Sequence, residues 1–456
     1  MFFNLRQTLT KKPKLLRRIR VFIVLIVLIF VVFTAGLIAF YYINKGPGNT
    51  SSYTGARKVR IEKTNGRYTL YKDNKPFLVK GGSGLEYIKQ LAESGGNTFM
   101  CWDTSKLENV FKEAARYNVA VIIGLDVPGA YTDFYKNKKE VENFYNAYMA
   151  IVNRYKDNPC LLAWCLGNEM TLPLSLTPGS FYKMYNRILD RIHVIDPNHP
   201  VSTSVLNITI GEIFTLQWRM PALDFYSMNI YNSVKIMKHN LDRTKWLWDG
   251  PYIIGEWAPE GGWEAPMTAW KAPVENSSTK KAELFYEFYT KYMPLKDPRF
   301  MGSLVFFWGH RQEYTRSWFS IFAENGYPNE IKETLNDCWK DTVTSHVSPK
   351  IQVMLIDNVS GKNNIIVSSG SKHHATLEMQ SSKPLDSSLT YKWEIYREDW
   401  YYPYGLPSET GLFADSTLPV TDFIAPQNKG PYRVFITVYN SKGYFATANI
   451  PIYVVR

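Results

Sequence analysis

Two glutamates, far apart in the chain, each stand at the end of a short apolar run. The run 161–166 leads through Gly167 and Asn168 to Glu169, and the run 251–255 leads to Glu256 and Trp257. Both runs are too short for a helix and apolar throughout, the pattern of a strand buried on both faces. A carboxylate at the tip of such a strand points into whatever lies above the sheet. Two tips on one closed sheet bring two carboxylates to bear on one substrate bond. Paired carboxylates are the minimum equipment for cleaving a glycosidic bond.

The elements that must position them follow from periodicity. Strand-like runs cover 77–81, 97–102, 120–126, 161–169, 200–205, 225–231, 252–256 and 302–308. Apolar residues at three- and four-residue spacing predict helices over 107–117, 140–155, 181–195, 280–293 and 329–339. Eight strands with helical crossovers predict a (β/α)8 barrel over 58–343. An open doubly wound sheet would show a Gly-rich phosphate loop after its first strand. Gly81, Gly82 and Gly84 sit there without the full fingerprint, so no dinucleotide cofactor is expected. From about Ser348 the texture changes to short strands with polar turns, which predicts a small antiparallel sandwich over 348–456. Trp393 stands on the apolar face of one of these strands, like the core Trp of an immunoglobulin-like module.

Strand order sharpens the site. The fourth strand ends in Asn168-Glu169, the sixth in Asn229-Ile230-Tyr231, the seventh in Glu256-Trp257 and the eighth in Trp308-Gly309. With these four ends in this order, residues 66–340 resemble the retaining glycoside hydrolases of clan A, which include families 2, 5 and 72. The segment 71–81 is similar to the start of the family 2 catalytic barrel. The resemblance implies that Glu169 is the acid/base and Glu256 the nucleophile. It also implies that Asn168 bonds the sugar 2-hydroxyl, Tyr231 orients Glu256, and Trp308 floors the sugar pocket. Clan members usually carry an Arg at the end of the second strand. Here 97–103 has none, and Trp102 or Asp103 is expected to fill that space. In the Gly/Pro-rich segment 257–276, Trp257, Trp263 and Trp270 are candidates for a sugar platform or for a loop core. Asp126 and His310 read as polar rim.

The net charge of +12 does not point to nucleic acid. Over half of it comes from Arg6, Lys11, Lys12, Lys14, Arg17, Arg18 and Arg20, immediately before an uncharged run over 21–42. That run is long enough to span a bilayer and ends in aromatics. It reads as a signal anchor over 21–43, with 1–20 cytoplasmic, 44–57 a linker and the barrel outside; a cleaved signal is the competing reading. The four cysteines have no metal-ligand spacing, and Cys160 and Cys165 bracket one strand too widely to bridge. The expected activity is a membrane-anchored retaining β-glycosidase acting on an extracytoplasmic oligo- or polysaccharide without metal or cofactor. The alternatives are a transglycosylase using the same residues and a non-catalytic carbohydrate-binding barrel.

Overall fold

The computed structural model describes residues 13–44, 57–174, 179–206, 208–380, 389–398 and 406–456. The linker and most of the basic N-terminal segment lie outside the described residues. The first described element is helix α1, Pro13–Asn44. Within it Arg17–Leu37 is long and apolar enough to cross a membrane, and its described side chains are almost all exposed.

A small sheet follows, made of β1 (Val59–Thr64), β2 (Arg67–Lys72) and β3 (Lys75–Pro76). Its two turns are sequence-driven. Asn65 and Gly66 form the first and Asp73 and Asn74 the second, all four at positive φ, as two-residue hairpins require. Val59 and Leu70 from this sheet pack with Met100, Ile122, Leu162 and Met301, so the hairpins plug one end of the barrel interior.

The barrel strands are β4 (Val79–Ser83), β5 (Thr98–Cys101), β6 (Ala120–Leu125), β7 (Leu161–Leu166), β8 (Val201–Val205), β9 (Phe225–Asn229), β10 (Tyr252–Trp257) and β11 (Phe300–Val305). All neighbours pair in parallel, and β9 closes on β10. The eight expected strands are these eight. Alternation along each strand divides its side chains. Ala163 and Cys165 of β7 fill the interior while Trp164 and Leu166 face the helices, and Leu162 joins the interior where the register against β6 shifts between Leu161 and Ala163. Glycines set the close approaches: a Cβ at Gly81 would lie 1.7 Å from the carbonyl oxygen of Thr98.

The helices between strands are α2 (Ile88–Glu93), α3 (Leu107–Tyr117), α4 (Lys138–Tyr155), α5 (Ser180–Ile195), α6 (Ile210–Arg219), α7 (Val234–Thr244), α8 (Ser278–Glu287) and α9 (Glu330–Lys340). Three of them, α2, α6 and α7, were not expected from apolar spacing. For α6 a signal was present: Thr209 and Glu212 form a capping box. The helix predicted over 280–293 is α8 followed by a wider π turn, Phe288–Tyr292.

Among the described residues seven further strands form two sheets, β12-β14-β16 and β13-β18-β17-β15. They comprise β12 (Ile351–Ile356), β13 (Ile365–Ser368), β14 (Lys372–Met379), β15 (Thr390–Arg397), β16 (Val420–Ile424), β17 (Gly430–Tyr439) and β18 (Phe445–Val455). Trp393 is buried between the sheets and donates its indole N–H to the Leu418 carbonyl at 2.8 Å. The sandwich is not wholly antiparallel, because β13 runs parallel to β18. It is seated on the barrel by polar contacts: Thr447 N–H donates to Ser278 Oγ at 3.0 Å, and Ile351 N–H to Thr279 Oγ1 at 2.9 Å. All four cysteines are free thiols.

Candidate active site

At the carboxyl ends of the barrel strands lies a cavity of about 500 Å³. Glu169, Glu256, Asn168, Tyr231, Trp102 and Asp103, all singled out from the sequence, line it.

Local backbone features aim the two glutamates. After β7, Gly167 takes φ 83°, where a Cβ would strike the Met170 side chain. Glu169 itself sits at φ 48°, a left-handed conformation that costs a non-glycine residue roughly 1 kcal/mol. Its N–H donates to the Ser204 carbonyl at 3.1 Å, which ties the turn to β8. On β10 the register against β9 shifts between Ile254 and Glu256. Gly255 permits the close packing there, since a Cβ would lie 2.0 Å from Ser227 Oγ. Ile254 and Trp257 face the helical ring while Glu256 lines the cavity.

The two carboxyls have different partners. Asn229 Nδ2 donates to Glu169 Oε1 at 2.8 Å and lies 3.2 Å from Asn168 Oδ1. The Tyr231 hydroxyl donates to Glu256 Oε2 at 3.2 Å. Tyr231 is held edge-on against Trp263, with ring centroids 4.9 Å apart, and its loop is fixed by the Ile230 N–H on the Glu256 carbonyl.

Desolvation dominates the electrostatics. Burial raises the Glu169 pKa, against the Asn229 hydrogen bond that lowers it. Burial, then the charge of Glu169, pushes Glu256 up to about 8, against the Tyr231 hydrogen bond and the charge of Arg311. The charge of Glu169 thus adds to burial in opposing ionisation of Glu256. The Tyr231 hydrogen bond lowers the Glu256 pKa and the Asn229 hydrogen bond lowers that of Glu169, so each donor favours the anion of its own partner.

Two expected residues stand elsewhere. Trp257 is buried against Phe285 and Tyr289, because the next residue along a strand faces the opposite side from Glu256. Trp308 does not floor the cavity. It is fully buried, bonds the Tyr87 carbonyl at 3.0 Å and packs on Phe322 and Trp339. Phe306 and Phe307, just before it, line the cavity instead. Trp263 and Asp126 line the cavity, whereas Trp270 packs on Tyr453 of the sandwich and His310 lies near Glu324.

At the second barrel strand, where the sequence lacks an Arg, the Trp102 ring lies over Gly124, and its buried indole N–H has no hydrogen-bond partner among the described residues. Hydrogen bonds from the Ser105 hydroxyl and N–H hold Asp103 below the ordinary carboxylate range. Arg311 and Glu313 were missed by sequence reasoning. They come from the loop after β11, which has no periodicity to mark it. Arg311 Nε donates to Glu313 Oε2 at 2.5 Å, and its guanidinium lies 5.2 Å from the Phe306 ring. Among the described residues lining the cavity, Arg311 is the one Arg or Lys. No group of three or more His, Cys, Asp or Glu arranged to hold a metal ion occurs among the described residues.

The fold is a closed (β/α)8 barrel with two glutamates at strand ends, and its sequence is similar to that of curated glycosidases. The chain is 24% identical over 184 residues to mannan endo-1,4-beta-mannosidase F of Aspergillus clavatus, covering 35% of this chain and 42% of that protein. It is 28% identical over 199 residues to putative mannan endo-1,4-beta-mannosidase 4 of Arabidopsis thaliana, covering 40% and 44%. The aligned region is thus less than half the length of either relative. No protein-family profile matches the chain. Similar solved structures include the endo-beta-1,4-mannanase of Thermotoga petrophila, with 12% identity, TM-score 0.41 and coverage of 84% of this chain and 99% of that one. Another is the Bifidobacterium dentium beta-glucuronidase, with 17% identity, TM-score 0.48 and coverage of 63% and 49%.

Burying Glu256 has a consequence for stability. Its folded pKa of about 8 lies above its ordinary value of 4.5, so between those values the folded state binds more protons than the unfolded state. Stability therefore falls as pH rises through this window, and the cost is complete above about 8. Glu256→Gln removes the charge and should stabilise the protein at pH 8 by a few kcal/mol, with little effect at pH 4. Denaturant midpoints of both proteins across that range check this; a variant less stable at pH 8 would contradict it.

Proposed function

We propose that this chain is a membrane-anchored β-glycosidase that hydrolyses an extracytoplasmic polysaccharide by two successive displacements at the anomeric carbon. The observation that carries the reading is the pair Glu169 and Glu256, two desolvated carboxyls in one cavity with different hydrogen-bond partners. The mannan endo-1,4-beta-mannosidases it resembles make a β-1,4-linked mannan the first substrate to try.

The chemistry follows from the two environments. Glu169 carries the proton on the oxygen that Asn229 does not engage. It gives that proton to the departing glycosidic oxygen as the bond to C1 breaks. Glu256, steadied by the Tyr231 hydroxyl, forms a bond to C1 from the opposite face and yields a glycosyl ester. Water then enters on the leaving-group side. Glu169, now ionised, takes a proton from it, the water oxygen bonds C1, and Glu256 leaves as a carboxylate. Two inversions give retention, for which the carboxyl separation is about 5–5.5 Å. Asn168 and Asp103 supply polar contacts to sugar hydroxyls. Trp263, Phe306 and Phe307 supply apolar surface suited to sugar rings.

The apolar helix Arg17–Leu37 supports the anchor, and the basic residues before and at its start support a cytoplasmic N-terminus.

Two experiments test these roles. Glu169→Ala should lower polymer hydrolysis by about 100-fold or more, the usual worth of a general acid. The same variant should retain formation of the glycosyl ester from aryl glycosides whose leaving group needs no proton, with azide accelerating turnover. An equal loss on both substrates would contradict the acid/base assignment. Tyr231→Phe removes a hydrogen bond that lowers the Glu256 pKa. The acid limb of its kcat/KM profile should therefore move to higher pH; an unmoved limb would show that Tyr231 does not steady the nucleophile.

A further inference from the structure

The cavity wall is completed by two long loops, and both are gripped from behind by the sandwich. The loop after β10 carries Trp263, and the segment after β11 carries Phe306, Phe307, Arg311 and Glu313. Neither contains a long helix or strand, so each needs anchors of its own.

Those anchors converge on Glu275, a buried carboxylate in the first loop. Its Oε2 accepts from Thr315 Oγ1 at 2.6 Å and from Asn449 Nδ2 at 2.6 Å. Its Oε1 accepts from Ser317 Oγ at 2.8 Å and from Lys281 Nζ. Asn449 belongs to β18 of the sandwich, and Thr315 and Ser317 belong to the loop after β11. Asn449 Oδ1 in turn accepts from Arg433 Nη1 at 2.6 Å. Arg433 Nη2 donates to the Pro273 carbonyl at 2.7 Å, and its Nε to Glu398 at 2.8 Å. Burial alone would raise the Glu275 pKa, but the charges of Lys281 and Arg433 outweigh it and hold the group ionised.

From this anchor to the cavity the path is short and stiff. Glu313 and Thr315 exchange both backbone hydrogen bonds, at 3.1 and 2.8 Å. The Glu313 carboxylate accepts from Arg311 Nε, and the Arg311 N–H donates to Ser320 Oγ at 2.9 Å. The Tyr314 ring lies against Gly262, where a Cβ would come within 2.5 Å of it, and beside Trp263. A domain serving only as a spacer could be seated by apolar contact. A buried ionic network costs desolvation and returns directional order, and this one ends at the cavity wall.

We propose that the β-sandwich is part of the catalytic apparatus, with Asn449 as a positioning residue that sets Arg311, Glu313 and Trp263 in the cavity through Glu275 and Thr315. The proposal rests on the cavity being the active site, so its test has one readout that needs no activity. In the full-length protein, Asn449→Leu should speed amide hydrogen exchange over 309–318 and 259–264 and leave the barrel strands unchanged. Thr315→Val, which breaks the same chain from the loop side, should do likewise and serves if Asn449→Leu does not fold. On a hydrolysed β-glycan both variants should lose about 10–100-fold in kcat/KM, the scale of a displaced positioning group. Both should also shift the acid limb of the pH profile upward as Arg311 moves relative to Glu256, and their double variant should be no worse than either alone. Unchanged exchange in both loops would overturn the proposal, as would a wild-type pH profile and kcat/KM in a variant whose exchange rises. Altered exchange in a protein that cleaves no β-glycan would instead refute the assigned function while upholding the clamp.

Discussion

Two carboxyl groups are desolvated in one cavity, and the charge of Glu169 adds to burial in opposing ionisation of Glu256. The site depends on this constraint. Glu256 is deep, on a strand whose register shifts at Gly255, while Glu169 is carried over the cavity on a left-handed turn. Closure of eight parallel strands brings the two tips together although they are distant in sequence. Asn229 and Tyr231 then make the two groups unlike, one donor to each. A symmetric pair would have no reason to divide the labour of acid and nucleophile.

Much of this was legible in the sequence because burial writes itself into strand pattern. Runs such as 161–166 and 120–125 are apolar on both faces, since one face meets the barrel interior and the other the helices. The strand ends followed from those runs, and with them Glu169, Glu256, Asn168, Tyr231, Trp102 and Asp103. What failed to be legible lies where pattern stops. Trp257 and Trp308 stand beside cavity-lining residues but face away, and a one-residue difference in facing is decided by register and local backbone turns that composition does not carry. Arg311 and Glu313 lie in an irregular loop, where no periodicity distinguishes a cavity residue from a solvated one. Strand β16, helix α2 and helix α7 are short or polar enough that tertiary packing decides their conformation.

The remainder of the molecule reads as support for the cavity. The hairpin sheet seals the opposite end of the barrel with Val59 and Leu70, so the interior is packed and the cavity is confined to one face. The sandwich presses on the loops after β10 and β11, which carry the aromatic and charged part of the wall. Trp102, lying over Gly124, stands at the end of the second strand, where the sequence resemblance implies an Arg. A cation reaches the cavity instead from the loop after β11, as Arg311.

The central claim is that Glu256 attacks the anomeric carbon and Glu169 serves it as acid and base. The most direct measurement is mass spectrometry of the protein after reaction with an activated 2-deoxy-2-fluoro-β-glycoside matched to a sugar it cleaves. The account predicts one fluoro-sugar per chain, on the peptide containing Glu256, with turnover abolished while the label remains. A hydrolysing protein that accumulates no label, or carries it on Glu169 or another residue, would contradict the account.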